Sequence, residues 1–117
     1  MIYHIAERDD WAAAQQRGSY RAASLASDGF IHCSTWQQVR LVVKDFYRGR
    51  SDLLLLSIDE SRLHAPLIWE AATHPDPASA EFTVRAGAFP HIYGVINLDA
   101  VRAVASLREE LDGFDSA

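Results

Sequence analysis

The chain has 117 residues and a mass of 13.0 kDa, and its 49% hydrophobic and 23% charged residues are typical of one compact globular domain rather than a disordered or low-complexity chain. Its formal net charge of −5 argues against general nucleic-acid binding, because a phosphate backbone would repel it on average. The single cysteine, Cys33, excludes an intramolecular disulfide, which is typical of a cytoplasmic protein. The longest apolar run, Leu53 to Leu56, is too short to span a bilayer, so we expect no binding to membranes.

The N-terminal quarter of the chain predicts a strand, a helix and a loop. Residues 2–6 are β-branched and aromatic, which is typical of a short strand. Asp9 or Asp10 would then cap a helix that ends at Gly18. Residues 19–29 show no regular period, and we expect a surface loop there.

A second strand is predicted to run directly into a helix. Phe30–Cys33 has strand character, and Ser34 with Gln37 forms an S-x-x-Q capping box for the helix that follows. Gly49 would close that helix. Its buried face is predicted from apolar residues at three- and four-residue spacing, namely Trp36, Val39, Val43 and Phe46.

The second half of the chain predicts mainly strands. Leu53–Ile58 is apolar on both faces, which suits a central strand, and residues 67–72 and 92–98 are two further strand candidates. Two prolines make residues 74–77 a loop. The segment from Asp99 fits a helix and a strand equally well.

These elements predict an α+β fold, because five or more strands and two or three helices do not alternate strictly. We expect a single domain over residues 1–112 and a C-terminal tail over 113–117.

No established catalytic motif is present, so the candidates for chemistry are polar residues inside apolar strands. The first is His4, for which a hydrogen bond to a neighbouring carbonyl is favoured over a role as a donor in a cleft. The second is the pair His32 and Ser34, which share a strand face with Phe30 where a helix N-terminus would favour an anionic ligand. The alternatives for Ser34 are helix capping alone and, less favoured, a Ser–His hydrolase.

His91 and Tyr93 form the third candidate, because they share one face of a predicted strand. Gly94 would leave room there for a ligand or another backbone, and the alternative is an edge strand with a bulge. Glu70 is the fourth: it would either point to solvent from an edge strand or lie in a cleft, where partial burial would raise its pKa. Arg21 is a candidate for gripping an anion.

Two further kinds of site are not expected. Cys33 falls on the face opposite to His32, which favours a small buried residue over a nucleophile. The five histidines and the cysteine lack the paired spacing of metal ligands, so we expect no metal.

Several of these residues occur in blocks that resemble the bacterial family called "domain of unknown function 952". The resemblance covers roughly residues 2–104 and rests on Tyr3-His4-Ile5, Ser24-Leu25, Gly29 to Ser34, Trp69-Glu70 and Phe89 to Gly94. It implies a fold similar to the ADP-ribosyltransferase fold, with a cleft between two small antiparallel sheets.

That resemblance also implies a ligand and a set of roles. The ligand would be NAD or another nucleotide-derived molecule, with no metal. His4 would be similar to the ribose-binding histidine, Ser34 to the hydroxyl of the second strand–helix unit, and Tyr93 or Tyr20 to the stacking aromatic. No paired-glutamate motif is present, so Glu70 or Glu81 would have to replace it. The two hypotheses are an enzyme using His4, His32, Ser34, Glu70, His91 and Tyr93, and a non-catalytic module that binds a ligand or a protein in the same cleft.

Overall fold

The computed structural model describes residues 1–71 and 87–107. The helices are α1 (Arg8–Arg17), α2 (Ala23–Ser27) and α3 (Trp36–Phe46), with 3-10 turns at Glu60–Arg62 and Leu98–Ala100. The strands are β1 (Ile2–Glu7), β2 (Ser19–Tyr20), β3 (Ile31–His32), β4 (Leu53–Ile58), β5 (Leu67–Glu70), β6 (Phe89–Ile92), β7 (Ile96–Asn97) and β8 (Val101–Ser106).

The strands form two three-stranded sheets, β1-β4-β8 and β3-β6-β5, and a two-stranded pair, β2-β7, all of them antiparallel. The predicted α+β class is therefore confirmed. The two larger sheets meet where Tyr3 and Ser34 exchange backbone hydrogen bonds of 2.8 and 2.7 Å.

Strand β4 separates the two halves of the core, as its run of apolar residues predicts. One face of the strand, with Leu54, Leu56 and Ile58, joins the cluster that fills the space towards β3 and β6. The other face, with Leu53 and Leu55, packs against α3. Both faces of β4 are covered because the sheet lies between these two clusters, and both of its edges are paired because it is the central strand.

Two predictions in the N-terminal quarter were wrong. Helix α1 begins at Arg8, so Asp9 and Asp10 lie in its first turn and do not cap it. The positive end of the helix dipole stabilises their carboxylates there. Residues 19–29 form β2 and α2 rather than a loop. Gly18 ends α1 in the left-handed conformation, with φ of 90°, as predicted.

The predicted strand over residues 92–98 is instead divided into β6 and β7. Gly94 lies between them, and a Cβ atom there would be 2.9 Å from Ala65 Cβ. The group that approaches this glycine closely is therefore Ala65 of the same chain. The segment that fitted both patterns after Asp99 forms strand β8, which pairs with β4. The predicted loop at 74–77 and the predicted tail at 113–117 lie outside the described residues.

Among the described helices, none is long and apolar enough to cross a membrane.

Candidate functional site

The centre of the site is a pair of histidines on neighbouring strands. His32 on β3 lies directly opposite His91 on β6, and their ring centroids are 5.4 Å apart. Phe30, two residues before His32 on the same face, stacks on the His91 ring with a centroid distance of 4.1 Å and an interplanar angle of 20°. Phe30 and His32 therefore lie on the same face of β3, as predicted, and His91 lies on that face of the sheet as well.

His91 is held by a carboxylate from the third strand of its sheet. Ile68 on β5 lies opposite His91, which places Glu70 diagonally across from the imidazole. Glu70 Oε1 accepts hydrogen bonds from His91 Nδ1 at 2.9 Å and from the Tyr93 hydroxyl at 2.5 Å. Because a carboxylate can only accept, Nδ1 carries the proton, and Nε2 of the neutral ring carries a lone pair.

His91 lines the cavity, and Nε2 is the ring nitrogen that Glu70 does not bind. The side chain is 1% exposed and lines the cavity wall, and within the described residues Nε2 has no hydrogen-bond partner. No side-chain nitrogen or oxygen in the described part of the chain is both fully buried and unpaired, so the unpaired Nε2 is not fully buried.

The ionisation states of this cluster follow from its burial and hydrogen bonds. The Tyr93 hydroxyl, and after it the His91 ring, lower the pKa of Glu70 by stabilising the carboxylate. Glu70 lies on the edge strand β5 and does not line the cavity, so the condition for a raised pKa is not met, and these two donors outweigh the effect of burial. Burial lowers the pKa of His91, although Glu70 opposes the shift, so the imidazole is neutral at pH 7.

His32 has a carboxylate partner of its own. Its Nε2 is 2.9 Å from Asp28 Oδ2, a contact that is an ion pair when the ring is protonated. The Phe30 ring also contacts His32, at a centroid distance of 4.7 Å. The two histidines differ in burial, since 35% of the His32 side chain is exposed and 1% of the His91 side chain.

His4 is bound through both ring nitrogens by neighbouring protein groups. Its Nδ1 donates to the His32 carbonyl at 2.6 Å, and its Nε2 accepts from the Tyr20 hydroxyl at 2.7 Å. Burial lowers the pKa of His4 to about 4, so the ring is neutral at pH 7. His4 lines the cavity, and its ring fixes the backbone of His32. Tyr20 is fully buried.

The predicted capping box is displaced by one residue. Thr35 caps α3 by accepting from the Gln38 backbone N–H at 3.2 Å, and the Gln38 side chain accepts from the Thr35 N–H at 2.9 Å. The helix ends at Phe46, three residues before Gly49. Ser34 is 94% buried and does not cap; its hydroxyl, which has no hydrogen-bond partner among the described residues, lines the cavity.

The cavity has a volume of about 260 Å³, and its wall includes residues of β1, β2, β3 and β6 and of all three helices. It brings together four of the predicted site residues, His4, His32, Ser34 and His91. Glu70 and Tyr93 do not line it. Glu70 is linked to the cavity by its hydrogen bond to His91, and Tyr93 by its hydrogen bond to Glu70. Arg21 is exposed and is not in the wall. Cys33 is buried, which raises the pKa of its thiol, as expected for an unreactive cysteine.

Several residues of the site were missed in the sequence. Asp28, which no pattern in the sequence singles out, binds His32. Tyr20, a candidate stacking aromatic, donates instead to His4. Glu7 and Asp10 add carboxylates to the cavity wall. The signal for them is a run of charge directly after the apolar first strand, from which only Asp9 or Asp10 is given a role, as a helix cap.

Comparison with known proteins gives a family and a fold. The family model described as "Protein of unknown function (DUF952)" matches residues 5–104. The chain belongs to this family. No curated protein matches the chain significantly.

Three solved structures of one protein, CC0527 from Caulobacter crescentus, are similar to the chain. The crystal structure of that protein shares 30% sequence identity, covers 89% of this chain and 82% of its own, and has a TM-score of 0.71. A crystal structure of a double mutant of the same protein gives the same values. The solution NMR structure shares 33% identity, covers 91% and 83%, and has a TM-score of 0.68. These relatives do not confirm the similarity to the ADP-ribosyltransferase fold, which stays a prediction.

Proposed function

We propose that the chain is an enzyme whose cavity binds NAD or another nucleotide-derived ligand, and that His91 is its general base. The observation that carries this proposal is the His91 ring, which is neutral, lines the cavity, is held by Glu70 on Nδ1 and leaves Nε2 unpaired within the described residues. The predicted ADP-ribosyltransferase-like architecture is part of the proposal.

The arrangement around His91 suits proton transfer. A neutral imidazole with a carboxylate on Nδ1 can accept a proton at Nε2, and the carboxylate then stabilises the resulting imidazolium. Tyr93 holds Glu70 in place, so the accepting nitrogen has a fixed position. General-base catalysis of this kind contributes about 10²- to 10⁴-fold to a rate.

In the proposed reaction a water or hydroxyl attacks the ribose C1′ of NAD. A C1′–oxygen bond forms, the bond from C1′ to the ring nitrogen breaks, and nicotinamide leaves as a neutral molecule. The proton of the attacking oxygen passes to His91 Nε2. No protonation of the leaving group is needed, because the electrons of the broken bond neutralise the charged ring.

Ser34 is the second cavity group that could contact the ligand. The Cys33 N–H donates to the Pro90 carbonyl at 3.0 Å, and extending the β3–β6 register by two pairs beyond His32 and His91 places Ser34 opposite Phe89 and diagonal to His91, at a separation of roughly 7–8 Å between Cα atoms. A sugar placed between them could reach both the hydroxyl and Nε2. The cavity volume of about 260 Å³ is close to the lower end of the range for small-molecule sites, roughly 300–1,000 Å³, and suits a ring with its ribose.

The test is product formation from NAD by the purified protein and by His91→Asn. Asparagine keeps a donor near the position of Nδ1, so the bond to Glu70 survives, but it lacks the base at Nε2. We expect the variant to lose about 10²-fold or more in kcat with little change in melting temperature. His64→Asn is the matched control, because His64 is exposed and lies outside the cavity wall.

Two results would contradict the proposal. Equal turnover by His91→Asn and the wild type would remove His91 as the base. Saturable binding of NAD without any product after long incubation would instead identify a non-catalytic binding module.

A further inference from the structure

The charged residues that line the cavity are acidic. Glu7 and Asp10 line it, and none of its described lining residues is Lys or Arg. Arg50 binds Glu7 at 2.7 and 3.3 Å, but it also binds Asp52 at 2.7 and 2.8 Å, so this group of three keeps a net negative charge. Asp10 is partly buried and has no hydrogen-bond or ion-pair partner among the described residues.

The nearby histidines do not offset this charge. Burial lowers the pKa values of His4 and His91, so both rings are neutral at pH 7, and a protonated His32 would be balanced by Asp28. The negative potential extends to the wall, because the pKa of Tyr20 is raised first by burial and then by the charge of Asp10. A phosphate placed inside this cavity would be repelled.

Other groups in the wall would favour an organic cation. Phe46, Tyr47 and Phe89 line the cavity, and aromatic faces attract cations through the ring quadrupole. Ser34 is 94% buried as a residue and lines the cavity, and its hydroxyl, which has no partner within the described residues, is available to a polar group of a ligand. Aromatic rings, carboxylates and a buried hydroxyl together suit a charged ring bonded to a sugar.

We propose that the cavity selects a positively charged heteroaromatic ring carried on a ribose, and that Asp10 is the residue that recognises the charge. This inference rests on the proposed function, and it names the end of the dinucleotide that enters the cavity. The diphosphate stays outside, because about 260 Å³ holds a ring and its sugar but not a whole dinucleotide.

The test compares the binding of oxidised NAD, NADH and ADP-ribose by isothermal titration calorimetry. NAD and NADH share both riboses, the adenine and the diphosphate, but only the oxidised nicotinamide ring is positively charged. We expect oxidised NAD to bind at least about tenfold more tightly than NADH, and Asp10→Asn to reduce this ratio to about threefold or less. Asp9→Asn is the control, since it makes the same change of charge at an exposed neighbouring residue outside the cavity wall.

The outcomes separate this inference from the proposed function. Equal affinities for NAD and NADH, with nicotinamide still released, would overturn the selection of charge and leave the enzyme proposal intact. A reduced ratio in Asp9→Asn as large as that in Asp10→Asn would overturn the role of Asp10. Absence of binding by all three nucleotides would overturn both proposals. Selective binding of NAD without product would support charge selection and overturn the enzyme proposal.

Discussion

Burial of a neutral His4 makes the stability of the protein depend on pH. Its pKa is about 4 in the folded chain and 6.5 when exposed. Between these two values the unfolded chain binds more protons, so stability falls as the pH falls through this window. A difference of 2.5 pKa units corresponds to about 3 kcal/mol of unfolding free energy, fully present above pH 6.5 and lost below pH 4.

Most of this effect is accessible without strong acid. Between pH 7 and pH 5 the titration of His4 alone lowers the free energy of unfolding by about 2 kcal/mol. The pKa of His91 is also lowered by burial, so it adds a loss of the same sign in the wild type. The contribution of His4 is therefore the difference between the wild type and a variant that has no ionisable group at position 4.

The assay is urea unfolding at pH 7 and pH 5, followed by tryptophan fluorescence, for the wild type and His4→Asn. Asparagine keeps a donor for the His32 carbonyl but has no ionisable group. We expect the pH-dependent loss to be about 2 kcal/mol smaller in the variant, even though its stability at pH 7 is lower. His64→Asn makes the same substitution at an exposed residue outside the cavity wall and serves as the matched control. An equal loss in the wild type and His4→Asn would refute the reasoning.

Three further predictions concern packing, capping and ionisation. Gly94→Ala should destabilise the fold by about 1–3 kcal/mol, because the new Cβ would be 2.9 Å from Ala65 Cβ; Ala65→Gly in the same chain should recover part of the loss in urea unfolding, and no recovery would contradict the contact. Thr35→Ala should cost about 1 kcal/mol through the lost cap while Ser34→Ala costs less, and the reverse order would contradict the assigned cap. Tyr93→Phe should raise the pKa of Glu70, measured by carboxyl ¹³C NMR, and an unchanged pKa would show that another group stabilises the carboxylate.

Local patterns in the sequence were sufficient for elements whose environment is set by hydrophobicity. The four leucines of β4 require cover on both faces, which α3 supplies on one side and the cluster towards β3 and β6 supplies on the other. The capping box shows where such patterns become ambiguous. Ser34 and Gln37 have the same spacing as Thr35 and Gln38, and the choice depends on the pairing of Ser34 with Tyr3, a contact distant in sequence. The segment after Asp99 became a strand for a similar reason, since the edge of β4 was available to pair with it.

The candidate site was predictable residue by residue but not as an arrangement. Alternation placed His32 and Ser34 on one face and His91 and Tyr93 on another, while the register that joins these faces depends on pairing between distant strands. The direction of the Glu70 pKa shift was missed because it depends on the Tyr93 hydroxyl, 23 residues away.

The most direct test of the proposed role of His91 is its protonation state at pH 7, measured from the ¹H–¹⁵N correlations of the imidazole rings. The structure predicts a neutral ring with the proton on Nδ1 and a bare Nε2 whose resonance moves when NAD is added, while His64 does not respond. A proton on Nε2, a fully protonated ring, or an Nε2 resonance unaffected by saturating NAD would contradict a general base facing the ligand.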